Sequence, residues 1–388
     1  MKIKNISLGI WMPRTSMHLR EIYHFLSGDN APIDGLDIKI LAKFRQNLEV
    51  TDVHFIRETE ADAIEASCKK VGIRISQEGI IVLELKKKAG EFSKEDIVLL
   101  ENFFIKKFSP AIKYLFSLGA PLPKELQHIK EAYPIIITVD NCSKEELSQF
   151  TKEKGIVIYS ESVSDTVDFL FGESISIVNV KNSSANIDWL MGDFVFLKEF
   201  PRQLANYLNV HRQIWEKIDT IRESKSIAYK NFSHLRDTIN SFLKTLSLMK
   251  ARINQMEDII LTKKEIRNPE NLKELNQLKM NRIANLIGDV KYTQDLWEMT
   301  TDYTKDTLNF IESLAQENIQ RELGALKFIT LIAAITSFFG MNIAFPWEER
   351  WPFIFKSSFV VIGIIILISL LFYYFLKIFV YNRKFNIN

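Results

Sequence analysis

Along the first half of the chain, apolar and polar residues alternate in short β-branched runs broken by longer amphipathic stretches. The runs GIIVLEL (79–85), PIIITV (134–139), GIVIYS (155–160) and SISIVNV (174–180) predict strands. The opening segment from Met1 to Pro13 alternates as well, which predicts a first strand rather than a signal peptide. Between the runs, 93–118 and 143–153 predict helices, the second opened by a capping box from Ser143 to Glu146. This β-α-β order predicts a partly parallel sheet. Asp140, Asn141 and Cys142 follow a strand end, where ligands of α/β folds often sit, although a plain turn accounts for them better. No glycine-rich loop follows any strand, so nothing here supports a nucleotide fingerprint.

From about 204 the period changes. Phe232, Leu235, Ile239, Phe242, Leu246, Met249, Ile253, Met256 and Ile260 recur by threes and fours, the seam of a coiled coil. Asn268-Pro269-Glu270 supplies a cap and a proline at the first helical position, predicting that a second long helix starts there. Its apolar positions are Leu272, Leu275, Ile283, Leu286, Val290 and Trp297, and no proline follows until Pro346. Such a helix approaches roughly 100 Å at 1.5 Å per residue.

Two charge-free runs close the chain. One begins at Phe328 and the other is SSFVVIGIIILISLLFYYFL, Ser357 to Leu376. Each has about the 20 residues that cross a hydrocarbon core. The fold class expected is an α+β membrane protein: an N-terminal α/β domain (1–195), a helical stalk hairpin (196–327), a first transmembrane helix (328–345), an outer loop (346–356), a second transmembrane helix (357–376) and a basic tail (377–388). Lys327 flanks the first span and Lys377, Arg383 and Lys384 follow the second, so the positive-inside rule puts stalk and tail, and with them both termini, in the cytoplasm. The expected location is the cell (inner) membrane.

Composition then narrows the function. A net charge of +2 offers no field for nucleic acid, which is excluded as a partner. Cys68 and Cys142 are too few for a disulfide framework or a thiolate metal site, and the six histidines show no paired ligand spacing. No nucleophile–base pair can be assembled, so no enzyme activity and no bound cofactor are expected.

One face of the second long helix reads Asp302, Asp306, Asn309, Ser313, Gln316, Gln320, Leu323, Leu326, Thr330, Ala333, Ser337. It is polar or small except for one apolar band. In lipid, polar side chains turn to a bundle interior or a water path, and a single span has no interior. The stripe therefore implies copies assembled around an axis, with Thr330, Ala333 and Ser337 lining a pore. Leu323 and Leu326 would form an apolar neck that closes by dewetting. The plainer alternative is that Ser and Thr bond back to their own helix and the acidic residues solvate a stalk. Asp302 and Asp306 are candidate ligands of a regulatory inner cation.

Phe339-Gly340-Met341-Asn342 ends the first apolar run after this stalk, ahead of a short loop, a last span and a basic tail. In that placement the chain, over roughly 204–388, resembles the CorA family of magnesium channels, the two-transmembrane GxN superfamily. The resemblance implies a homopentamer conducting Mg²⁺, with Co²⁺ or Ni²⁺ as further ions, through an outer filter of Gly340, Met341 and Asn342. Trp347-Glu348-Glu349-Arg350-Trp351 replaces the family's acidic loop, keeping Glu348 and Glu349 but adding Arg350. The run between Lys327 and Gly340 is about two turns shorter than the family's. Partners implied are other copies of the chain, the lipid bilayer and divalent cations, with Mg²⁺ both cargo and regulator. A Zn²⁺ transporter of the same superfamily and a membrane-anchored coiled-coil scaffold remain the alternatives.

Overall fold

The computed structural model describes residues 3–13, 18–29, 33, 35–57, 62–86, 93–115, 134–181, 187–223, 226–228, 231–265, 273–342, Leu367, Leu371, Tyr374 and 384–386. They fall into two compact units, Met1–Val210 with Ser247–Leu296, and His211–Leu246 with Trp297–Asn388.

The first unit is built on a nine-stranded sheet. Its strands are β1 (Ile3–Trp11), β2 (Val50–Ile56), β3 (Ala63–Cys68), β4 (Val71–Ser76), β5 (Ile80–Leu85), β6 (Ile135–Asp140), β7 (Ile158–Ser162), β8 (Val167–Gly172) and β9 (Ile175–Val180), in the order β2-β3-β4-β5-β1-β6-β9-β8-β7. Only β6 and β9 run parallel, and α5 (Lys144–Lys154) lies within their connection. The partly parallel sheet expected from the sequence is thus a mixed sheet with one parallel pair. The strands β2 to β4 form an antiparallel meander, and their shorter, mixed runs carry no clear strand signature in the sequence.

Alternation along the strands divides the core into two faces. Ile6, Leu8 and Ile10 of β1 and Ile135, Ile137 and Val139 of β6 join a core with α1 (Leu19–Ser27), α2 (Ile38–Leu48), α3 (Lys94–Phe103), α4 (Ser109–Leu115) and Leu147 and Phe150 of α5. On the opposite face runs α6 (Ile187–Arg222). Its Phe194 stacks on Phe169 and Phe171 at 5.3 and 5.0 Å, and Phe200 meets Trp11 at 4.9 Å. Gly9 makes this approach possible, because a Cβ there would stand 2.3 Å from Val195 Cγ2.

Between α3 and α4 the helix widens into a π turn, Phe104–Phe108, where Ser109 N donates to Phe104 O. Pro110 lacks an N–H and its ring would crowd the carbonyl four residues back, and the wider turn absorbs both defects. The capping box of α5 forms as the sequence predicts: Glu146 N donates to Ser143 Oγ at 3.2 Å and Ser143 N to Glu146 Oε2 at 3.0 Å.

Two further helices are long: α7 (Phe232–Glu265) and α8 (Lys273–Asn342), of 34 and 70 residues. The seam positions on α7 from Phe232 to Ile260 are buried apart from half-buried Leu235, and Ile283, Leu286, Val290 and Trp297 on α8 are buried too. Long helical structure begins earlier than the change of period at 204, since α6 runs from Ile187 through Pro201. The expected cap at Asn268-Pro269-Glu270, with Leu272, lies outside the described residues.

Candidate functional site

Within the second unit, α8 has a buried face and an open one. Thr300, Thr304, Thr307, Ile311 and Asn318 are buried, at three-, four- and seven-residue steps. Ile311 packs with Phe232 and Ile239, flanked by Ile221, Leu235, Leu308, Leu314 and Ala315. The threonines fit this interior because they bond back to their own helix: Thr304 Oγ1 donates to Thr300 O at 2.6 Å and Thr307 Oγ1 to Tyr303 O at 2.8 Å. Higher up, His211 Nε2 lies 2.5 Å from Thr300 Oγ1, and Trp215 stacks on Tyr303 at 4.6 Å. Tyr303 Oη donates to Asp219 Oδ1 at 2.9 Å; burial, then this bond, raises the pKa of the phenol. The threonine, histidine and tyrosine contacts are absent from the sequence reading, whose only signal for them was the Thr spacing itself.

The polar stripe is displaced from that face by two residues, about 200° around the helix. Asp302, Asp306, Asn309, Ser313, Gln316, Gln320, Leu323, Leu326, Thr330 and Ala333 are all exposed. Packing thus leaves these ten positions uncovered by the described helices. Leu323 and Leu326, 51% and 56% exposed, break it as a large apolar band. Thr330 Oγ1 donates to Leu326 O at 2.8 Å, the back-bonding that relieves a lone threonine of any need for a partner. Asp302 pairs with Lys305 at 3.2 Å. Asp306 lies one turn further, and among the described residues no group of three or more His, Cys, Asp or Glu is placed to hold a metal ion.

Gly340, Met341 and Asn342 are the last three residues of α8, so the helix continues through the motif. Their side chains, that of Ser337, and all of Glu348 and Glu349 lie outside the described residues. Among the described residues no helix is long and apolar enough to cross a membrane. From Phe328 to Asn342 the described helix rises about 22 Å, less than a hydrocarbon core of about 30 Å. Of the second apolar run only Leu367, Leu371 and Tyr374 are described, helical and 59%, 64% and 63% exposed. Near the end of the chain, β11 (Lys384–Asn386) pairs antiparallel with β10 (Ser226–Ala228), Phe385 opposite Ile227.

In the first unit, three buried charges and the mostly buried Glu78 tie helices to the sheet domain. Lys263 of α7 contacts Glu78 Oε2 at 3.1 Å and Asp193 Oδ1 at 3.3 Å, while Lys279 of α8 contacts Asp193 Oδ2 at 2.8 Å. Burial raises the pKa of Glu78. Burial also works against the charge of Lys263, but Asp193 and Glu78 together hold its pKa above the ordinary value. The Asp140-Asn141-Cys142 turn is structural: Asn179 Oδ1 accepts from Cys142 N and its Nδ2 donates to Cys142 O, both at 2.9 Å.

No family model matches the chain, and no curated protein matches it. Among solved structures, the complete CorA magnesium transporter from Methanocaldococcus jannaschii is similar at 14% identity and a TM-score of 0.33, over 64% of this chain and 92% of that one. The soluble domain of the same transporter gives 11% identity and a TM-score of 0.27, over 47% and 88%. Full-length CmaX protein gives 12% and 0.29, over 64% and 90%.

Proposed function

We propose that the chain is one subunit of a homo-oligomeric, most simply pentameric, channel that passes a divalent cation across the inner membrane. The cation is Mg²⁺ first, with Co²⁺ and Ni²⁺ as further substrates. The observation that carries the reading is the stripe from Asp302 to Ala333, exposed along a single helix that leads to Gly340-Met341-Asn342. A soluble coiled coil has no use for a polar face continued by Thr330 and Ala333 into an apolar run. A ring of such helices does, because each contributes one side of a water path. The pairing of β11 with β10 supports a tail on the same side as the stalk, as two spans require. Exposed Leu367, Leu371 and Tyr374 support a surface made for lipid or for another copy.

The chemistry suits magnesium. Mg²⁺ gives up water reluctantly, so a site that accepts the hydrated ion avoids the cost of stripping it. A ring of Asn342 amide oxygens accepts hydrogen bonds from those waters without gripping the ion as carboxylates would, and conduction needs binding weak enough to leave. Glu348 and Glu349 at the mouth raise the local cation concentration. Inside, Mg²⁺ held between Asp302 and Asp306 of neighbouring copies would keep the Leu323–Leu326 neck closed.

Purified protein in liposomes loaded with a Mg²⁺-sensitive dye tests this. Influx that is driven by an inside-negative potential, together with a ring-sized oligomer in native mass spectrometry, is the expected result. A folded dimer without flux leaves the scaffold reading in its place, and flux restricted to Zn²⁺ the zinc-transporter reading.

A further inference from the structure

On the sheet domain, far along the sequence from the stripe, a second set of side chains has no role in conduction. Arg20, Tyr23 and His24 stand at i, i+3 and i+4 on α1 and so share one helix face. Phe55 and Arg57 stand two residues apart at the end of β2 and so share one side of the strand. The five side chains line one open cleft of about 620 Å³. The rings of Tyr23 and Phe55 meet edge to face at 6.2 Å, yet Phe55 keeps 39% of its surface exposed although it belongs to a strand of the sheet.

Among the described side chains that line this cleft, Arg20 and Arg57 are cationic and none is a carboxylate. Of the described carboxylates nearby, Asp29 lies 3.4 Å from His24 Nδ1, and Asp52 lies 2.7 Å from His54 Nε2. Neither Arg20 nor Arg57 has a hydrogen bond or ion pair among the described residues. Two guanidinium groups with no partner among the described residues therefore flank exposed Phe55 and half-buried Tyr23. Planar guanidinium forks match phosphate oxygens in bidentate fashion. An exposed ring beside them offers a stacking surface to any flat π system.

We propose that this cleft binds a nucleoside phosphate, with Arg20 and Arg57 on the phosphates and Phe55 and Tyr23 against the base. Both halves of the ligand are needed to use what the cleft presents. An inositol phosphate or a carboxylate-rich peptide satisfies the arginines and leaves the rings idle. The absence of a glycine-rich loop is no obstacle, because here side chains rather than backbone amides meet the phosphates.

The test is binding of an N-methylanthraniloyl derivative of ATP to the full-length protein in detergent, at fixed excess Mg²⁺. Saturable fluorescence displaced by ATP is expected, with tripolyphosphate displacing it about tenfold less effectively. Arg20→Gln and Arg57→Gln, both exposed, should each weaken ATP binding about tenfold with unchanged circular dichroism. Phe55→Ala should weaken ATP but leave tripolyphosphate competition as it was. No saturable binding at millimolar probe, parent-like affinity in both arginine variants, or tripolyphosphate equal to ATP regardless of Phe55 would each overturn the proposal. The readout is binding and not flux, so its failure is separable from failure of the channel reading.

Discussion

Lys279 Nζ lies 2.8 Å from Asp193 Oδ2, with both side chains at least 95% buried, and so joins α8 to α6 inside the first unit. Lys263 reaches the same carboxylate from α7 and adds Glu78. Isolated buried charges are costly to desolvate, and this group remains tolerable because two ammonium groups meet two carboxylates. The cluster holds α6, α7 and α8 together within the first unit.

Lys263→Met leaves Glu78 and Asp193 buried with Lys279 as the remaining cation of the group, and should destabilise the protein by about 3–5 kcal/mol. Glu78→Gln should cost less, because burial already disfavours the charged form of Glu78. The pH dependence has a definite sign. Lys263 has its pKa raised above 10.5 in the folded state, so its contribution is full below pH 10.5 and is lost as pH rises through the folded value. Thermal unfolding across pH checks both statements: the alkaline loss of stability should be smaller in Lys263→Met than in the parent.

The two thiols should differ in reactivity. Cys68 is buried in the first unit's core, and burial pushes its pKa up to about 11. Cys142 is half-buried in the turn held by Asn179. A thiol reagent at pH 8 should label Cys142 in the native protein and Cys68 only on unfolding. Peptide mapping after timed labelling reads this out, and equal labelling of both would mean that the sheet opens on the same timescale.

The seam from Phe232 to Ile260 was legible because a long amphipathic period states both the helix and its buried face. The β6 and β9 runs were legible for a related reason: strands near the middle of a sheet, covered on both faces, read as continuous apolar stretches. Three things were not. Strand β2, at the sheet's edge, mixes Thr51, Asp52 and His54 with its apolar residues and so lacks that signature. Helix α6 was obscured at its start because Pro201 stands inside it. The pairing of Lys263 and Lys279 with Asp193 is long-range, and in the sequence each lysine reads as one more charge on a solvated face. The open side of α8 was readable position by position.

Leu323 and Leu326 are exposed in the single chain, a position that costs apolar hydration unless other copies cover them. Leu326→Ser should therefore weaken a neck formed by converging helices and give leaky influx that internal Mg²⁺ restrains poorly. Dye-loaded liposomes with and without internal Mg²⁺ measure this. Parent-like flux and parent-like inhibition would remove the neck assignment.

The proposed topology has its own test. Ala344 lies just beyond α8, and Asn386 belongs to the strand that pairs with Ser226. In a variant lacking Cys68 and Cys142, a cysteine replacing Ala344 should react with an impermeant thiol reagent in intact cells, and one replacing Asn386 should not. Permeabilisation should then expose the second. The reverse order would place the stalk on the outside and contradict uptake through it.

The proposed filter carries the sharpest prediction. Asn342 is the last residue of a 70-residue helix, a position where a lone amide also serves as a plain helix end. Asn342→Ala removes the carbonyl acceptor while keeping a small side chain, so assembly should survive and Mg²⁺ flux should fall at least about tenfold. Asn342→Asp brings several carboxylates together instead. Cation binding should strengthen, exit should slow, and selectivity among Mg²⁺, Co²⁺ and Ni²⁺ should change. Native mass spectrometry establishes the oligomer of each variant before liposome flux is compared with the parent. An intact oligomer of Asn342→Ala that still carries Mg²⁺ selectively at the parent's rate would show that the ion passes without this amide. It would also leave the exposed stripe of α8 to be explained by packing between stalks alone.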